Sequence, residues 1–315
     1  NMTEIEELGL LKMDFLGLRT LTVIRDAEAA IQKKDPSFSI QKLDYDDAAT
    51  YKMLGQGETE GVFQLESSGM KQVLVGLQPQ NLEDVIALIS LYRPGPMDSI
   101  PTYLRNRHEP DKISYKTPQL AHILDVTNGC IVYQEQVMQI FRELAGFSFG
   151  QADNVRRAMS KKKHAVMEAE REHFVHGCTE PGHECPGCVA NGISEKVANE
   201  IYDEMSSFAS YAFNKSHAAC YAYVAFQTAY LKCHYPSEFM AALLTSVLDN
   251  TDKVIEYSGE CARLGIKVLP PDVNISNGGF TADNGKIRFG LNAVKNVGRN
   301  LIERVVEERK EKPYS

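Results

Sequence analysis

The run from Leu10 to Ile31 changes period at Gly17, and no other stretch restricts the fold of this chain more. Before the glycine, alternation sends Lys12 and Asp14 to one face of a strand and Leu11, Met13 and Phe15 to the other. After it, Leu21, Ile24, Ala27 and Ile31 fall on one helical stripe, with Thr20 placed to cap the helix. The opening unit therefore reads as strand, tight turn, helix. An unpaired charge in an apolar run is costly. Lys12 and Asp14 accordingly either pair with each other at a sheet edge or serve a metal or a phosphate.

The 315 residues suffice for more than one core, and 43% hydrophobic with 24% charged residues is ordinary for a globular chain. No apolar run reaches the roughly 20 residues that span a bilayer, and the N-terminus lacks the order of a signal peptide; a cytoplasmic protein without membrane partners is expected. The chain opens on Asn1 and stops at Ser315 after a charged segment, which suggests a fragment of something longer. A net charge of -8 opposes a nonspecific nucleic-acid coat, so any polyanion site must be local. Seven cysteines, with Cys130, Cys220, Cys233 and Cys261 scattered singly, do not form a disulfide framework.

Along the chain, helices are expected over 47–54, 81–92 and 133–144. The glycines of Gly55-Gln-Gly-Glu-Thr-Glu-Gly61 fit neither a dinucleotide fingerprint nor a P-loop and read as turn chemistry. The two prolines of Tyr92-Arg-Pro-Gly-Pro96 stop the second helix and hold Arg93 at a rigid corner, where it serves at least as a C-terminal cation. Further on, helices begin near Ser194, with Val197, Ile201 and Met205 in register, and at Ala218, with an aromatic stripe that is mostly core. Pro236 breaks that run and Ser237 is expected to cap the next helix. Asp283-Asn-Gly285 between Phe280 and Phe289 signals a β-hairpin. The glycine turn ending at Gly298 resembles hairpin motifs that offer backbone amides to DNA phosphates.

Three stretches carry candidate chemistry. Asn154 to His164 holds five cations and no acid; at about 100° per residue, Arg156, Arg157, Ser160, Lys161 and Lys163 share less than half a helix surface. That face is either solvated or takes an anion, for which forked Arg and point-charge Lys suit a triphosphate or a nucleic-acid backbone. Asn214, Lys215, Ser216 and His217 stand at a helix N-terminus, where free amides attract phosphate. The spacing of Cys178, His183, Cys185 and Cys188, just after His173 and His176, is that of a structural zinc clip. A thioredoxin-type pair would need a flanking strand and helix that the pattern does not supply.

Taken in order, several motifs form a set: Lys12-Met-Asp-Phe-Leu-Gly-Leu-Arg-Thr20, Val62-Phe-Gln-Leu-Glu-Ser67, Tyr92-Arg-Pro-Gly-Pro96 and Tyr133-Gln-Glu-Gln136. Arg156-Arg-Ala-Met-Ser-Lys-Lys-Lys163, Phe213-Asn-Lys-Ser-His217 and Leu269-Pro-Pro-Asp272 complete it. Over essentially its whole length the chain resembles the alpha subunit of bacterial DNA polymerase III, the C-family of replicative polymerases. The resemblance implies a mainly α fold with small β elements (α+β): residues 1–20 ending a palm domain, 21–250 a fingers domain with a Cys/His-rich insertion at 173–191, and 251–315 a C-terminal part with a β-hairpin leading toward a helix-hairpin-helix region.

It also implies a DNA-directed DNA polymerase that binds dNTPs and primer-template DNA and works with a sliding clamp and other replisome subunits in the bacterial cytoplasm. Asp14 matches the third catalytic carboxylate, a ligand of the Mg²⁺ pair that drives nucleotidyl transfer, and Lys12 would lie near the phosphates. Arg156, Arg157, Lys161 and Lys163 would grip the triphosphate, Asn214, Lys215 and His217 would border the nucleotide pocket, and Arg93 would contact DNA. The family's other two palm aspartates are absent, so the isolated chain is expected to be inactive. The competing expectation is a non-enzymatic, zinc-dependent nucleic-acid-binding module, whose DNA binding would depend on salt but not on nucleotide.

Overall fold

The computed structural model describes residues 4–5, 8–11, 13, 17–160, 164–209 and 213–314. Lys12, Asp14, Lys161 and Lys163 lie outside the described residues, and the expectations that rest on them are not addressed by the fold. The rest is mainly helical with one small sheet, as expected. In chain order the helices are α1 (Arg19–Gln32), α2 (Ala48–Gly55), α3 (Ser68–Leu77), α4 (Leu82–Leu91), α5 (Ile100–His108), α6 (Ala121–Leu124), α7 (Gln134–Ala145) and α8 (Phe149–Ser160). They continue with α9 (His164–His176), α10 (Gly187–Ala190), α11 (Glu195–Ala209), α12 (Lys215–His234), α13 (Pro236–Ser246) and α14 (Thr251–Arg263). Strands β1 (Val268–Leu269), β2 (Thr281–Asp283) and β3 (Lys286–Arg288) follow, and α15 (Arg299–Glu308) comes last.

Contacts divide the chain into two units, 44–233 and a second made of 1–43 with 234–315. In the 44–233 unit, α12 supplies a stripe of small residues, Ala218, Ala222, Ala225 and Ala229, all fully buried, beside the fully buried Phe226. Spaced three to four apart, these alanines share one face and let neighbouring segments approach closely. Tyr51, Leu54, Leu65, Leu74 and Leu88 of the α2 to α4 region join them in one core. The aromatic residues of α12 are thus not uniformly core: Tyr223 is 44% exposed, and the alanines do the central packing. A second core in the same unit gathers Phe141, Leu144, Val155, Met159, Phe174, Ile201, Tyr202 and Met205 from α7, α8, α9 and α11. Side-chain caps start α2, α3 and α4, where Asp47, Ser67 and Asn81 accept from the amides of Thr50, Met70 and Asp84.

In the other unit, α1 buries Val23, Ile24, Ala27 and Ile31, the stripe read from the sequence, and packs on α13. Its N-cap is Leu18 and not Thr20, with no side-chain cap. Ser237 does not cap α13 either: the helix opens on Pro236, whose missing N–H and fixed φ suit the first position. Ser237 instead donates to the Glu238 carboxylate at 2.8 Å, which also pairs with Lys34 at 2.8 Å. Burial pushes the Glu238 carboxyl up, but these hydrogen bonds outweigh it and hold the group below its ordinary value. The sheet has order β1-β3-β2, with β1 parallel and β2 antiparallel to β3. Asn284 and Gly285 both take positive φ in the tight turn between β2 and β3, as the Asp-Asn-Gly signal requires.

Candidate nucleotide and nucleic-acid interface

The site is built outward from Gln136. This side chain, 4% exposed, accepts from the amides of Val132 and Tyr133 at 2.9 Å each and donates to the Ile123 carbonyl at 3.1 Å and the Thr127 hydroxyl at 2.7 Å. With its polar groups satisfied in the core, it fixes the start of α7. The next contact reaches across the unit: the Gln134 amide donates to the Phe213 carbonyl at 3.0 Å, forming an isolated parallel bridge between Tyr133 and Phe213.

Glu135 then locks the entrance to α12. Its carboxylate accepts from the Asn214 side-chain amide at 3.1 Å and from the Lys215 backbone amide at 3.1 and 3.2 Å, while Asn214 Oδ1 accepts from the His217 amide at 2.9 Å. The Lys215 ammonium pairs with Glu83 at 2.9 Å and lies 5.3 Å from the centroid of the Tyr133 ring. The helix N-terminus expected to attract phosphate is therefore met by an internal carboxylate, which the positive end of the helix dipole favours.

A second carboxylate organises the basic helix. Asp153 Oδ1 accepts from Arg156 Nε at 3.0 Å and Nη2 at 2.8 Å, and Oδ2 faces Arg157 Nε at 2.8 Å. Hydrogen bonds from Arg156 chiefly, together with the charges of both arginines, hold the Asp153 carboxyl below its ordinary value. Arg156 also donates to Gln134 Oε1 at 3.1 Å, which ties α8 to α7. Arg156, Arg142, Gln134, Glu135, Asp153 and Asn214 line a cavity of about 490 Å³. Arg157 is 65% exposed and does not line it.

On the other flank of the 213–217 segment lies a cavity of about 570 Å³ that Arg93, Phe213 and His217 help to line. Arg93 sits 4.0 Å above the Phe213 ring centroid. Its Nε also donates to the Ser90 carbonyl in the last turn of α4, the helix-end role read from the sequence, at 3.4 Å. Burial draws its pKa below the ordinary guanidinium value. The described site residues thus form two neighbouring groups, Arg156 with Asn214 and Arg93 with His217.

In the cysteine cluster the backbone forms a short hairpin. Cys178 and Cys185 pair as an antiparallel bridge, each amide donating to the other's carbonyl at 2.9 Å. Cys188 is fully buried in the second core, and His183 is exposed at the turn. His173 faces Glu170 at 3.3 Å. Among the described residues no three His, Cys, Asp or Glu side chains form a group able to hold a metal. The glycines explain the local shape: at Gly177 (φ 88°) and Gly187 (φ 77°) a Cβ would overlap the facing backbone, so this hairpin closes by backbone-to-backbone packing.

Sequence reasoning missed Glu135, Asp153 and Glu83. Asp153 was readable, because an acid three and four residues before two arginines meets both on one helix face. Glu83 and Glu135 carried no such signal, since their partners are distant in sequence.

Residues 20–182 match the family model of the bacterial DNA polymerase III alpha subunit finger domain, and residues 265–315 match a helix-hairpin-helix motif. Among similar proteins, DNA polymerase III subunit alpha of Thermus aquaticus is 49% identical over 98% of this chain and 25% of its own length. The Bacillus subtilis (strain 168) subunit is 46% identical over 99% of this chain and 27% of its own, and that of Chlamydia pneumoniae 46% over 98% and 24%. The chain spans about a quarter of the length of the curated relatives it matches. No helix among the described residues is long and apolar enough to cross a membrane.

Proposed function

We propose, from the premise that this chain belongs to the bacterial DNA polymerase III alpha subunit finger-domain family, that it binds the incoming deoxynucleoside triphosphate and primer-template DNA for a replicative DNA-directed DNA polymerase. The observation that carries the reading is the joining of Arg156 and Asn214 around one cavity through Gln134 and Glu135. A guanidinium fixed by Asp153 and Gln134 offers forked donors at low ordering cost, which suits a polyphosphate. Arg157, Lys161, Lys163, Lys12, Lys215 and His217 are proposed to bind phosphate as well, and Arg93 to bind DNA.

Nucleotidyl transfer uses Mg²⁺ to activate the primer hydroxyl and neutralise pyrophosphate, and Asp14 is the proposed ligand in this chain. The described residues of the proposed site would bind the charge of the nucleotide and of DNA. Contact with a sliding clamp and other replisome subunits, and a cytoplasmic setting, complete the proposal. One carboxylate does not hold a metal pair, so the 315-residue chain alone is proposed to be inactive in primer extension.

Fluorescence anisotropy with a labelled primer-template tests the function. Tighter DNA binding in the presence of the complementary dNTP supports it. Salt-dependent binding indifferent to nucleotide supports a non-enzymatic nucleic-acid-binding module instead.

A further inference from the structure

The hairpin that follows α9 holds two thiols directly opposite one another. Cys178 and Cys185 pair across it, each amide donating to the other's carbonyl at 2.9 Å. In such a doubly bonded antiparallel pair the Cα atoms lie about 5.5 Å apart, inside the range of about 4.4–6.8 Å that a disulfide spans. Opposed residues also project to the same face of the ladder. Both side chains pack on the second core of the 44–233 unit, and both thiols are free.

The Cβ atoms of an opposed pair stand about 4.5–5.5 Å apart, against about 3.5–4.5 Å in a disulfide, so bonding requires the two arms to close slightly. The connecting loop can supply that movement. Residues 179–184 are all exposed, and Gly182 takes φ 84° with nothing within 4 Å of where a Cβ would stand.

The two arms are held differently. Cys185 is 8% exposed, and its thiol donates to the His173 carbonyl at 3.6 Å. Its arm is fixed against α7: Pro186 packs on Gly146, where a Cβ would come within 2.5 Å of the ring, and Asn191 donates to the Leu144 carbonyl at 2.8 Å. Cys178 is half-buried and leads directly into the exposed loop, so a small oxidant meets this thiol first. Cys188 is fully buried in the core and stands apart from the exchange.

We propose that Cys178 and Cys185 form a reversible redox pair, closed to a disulfide by a hydroperoxide and reopened by a dithiol. With hydrogen peroxide, the Cys178 sulfur attacks one oxygen: an S–O bond forms, the O–O bond breaks, and one water leaves, giving a sulfenic acid. The Cys185 sulfur then attacks the Cys178 sulfur. The S–S bond forms, the S–O bond breaks, and the hydroxyl leaves as a second water with the Cys185 proton. The two sulfurs give up two electrons, which reduce the two peroxide oxygens. The bond ties the end of α9 to the arm held by α7, away from every proposed phosphate contact.

Peptide mapping of the 315-residue chain tests the pair. The chain is cleared of metal with EDTA, exposed to hydrogen peroxide, unfolded, alkylated and cut with a glutamate-specific protease. Cleavage after Glu184 separates Cys178 from Cys185, so mass spectrometry reads the pairing. The expected result is a Cys178 peptide joined to the Cys185 peptide, with Cys188 alkylated and dithiothreitol undoing the link. The oxidised chain should also melt about 5 °C above the reduced one, and Cys178→Ser should abolish both the link and the shift. A Cys185–Cys188 link, irreversible oxidation of Cys178 alone, or three alkylated thiols after peroxide would overturn the proposal.

Discussion

Glu135 secures the first turn of α12 at Lys215: its two carboxylate oxygens accept from the Lys215 backbone amide at 3.2 and 3.1 Å, although the residues are 80 positions apart. A carboxylate there satisfies helix-end donors that would otherwise depend on solvent. Glu135→Ala should lower stability by about 1–2 kcal/mol in urea denaturation. A phosphate would compete for the same amide, so Glu135→Gln, which removes the charge and keeps an acceptor, should tighten binding of inorganic triphosphate. Weaker or unchanged binding would count against a shared anion position.

Asp153 should titrate below the ordinary carboxylate range, because Arg156 hydrogen-bonds its charged form. The folded pKa is lowered, so the associated stability is present above the unfolded carboxylate value and is lost as pH falls through the folded one. Carbon-detected NMR should place its midpoint below 3.8, the unperturbed value, and Arg156→Ala should move it upward. An unchanged midpoint in that variant would show that the pair does not set the charge state.

Gln136 joins four polar partners inside a core. Gln136→Leu leaves buried donors and acceptors unpaired and should cost about 3 kcal/mol or more. Gln136→Glu retains the acceptors but loses the donors to Ile123 and Thr127, so it should also destabilise. A loss below about 1 kcal/mol in both variants would mean that water replaces the network.

The Cys178 to Cys188 hairpin closes through backbone pairing and burial of Cys188, so chelator should leave its melting temperature unchanged. A fall of more than about 3 °C on adding EDTA, on the order of 1 kcal/mol for a unit of this size, would support the zinc clip instead.

Much of the helical frame was legible because it is a matter of period and local chemistry. Ile201 and Met205 are buried in the register expected, and the Asp-Asn-Gly turn closes the strands it flanks. Cap choice was less legible: Thr20 and Ser237 have the right side chains, yet the helices start at Arg19 and Pro236. The largest gap concerned charge. Lys215 read as an unopposed cation because Glu83, which pairs with its ammonium, reaches it only through the fold, whereas Arg156 and Arg157 meet Asp153 on their own helix. Cysteine spacing is likewise less informative than helical period. A Cys-x-x-Cys pair fixes sequence separation, but whether thiols converge depends on the glycines that set the backbone path, here Gly177 and Gly187.

The central claim is that the cavity holding Arg156 and Asn214 binds the triphosphate of a nucleotide. Isothermal titration of the 315-residue chain with a deoxynucleoside triphosphate tests it, comparing the unaltered chain with Arg156→Gln. Losing one charge-assisted contact of about 1.5–3 kcal/mol should weaken binding by about tenfold or more. Equal affinity in the two proteins, or no binding by either, would contradict the account.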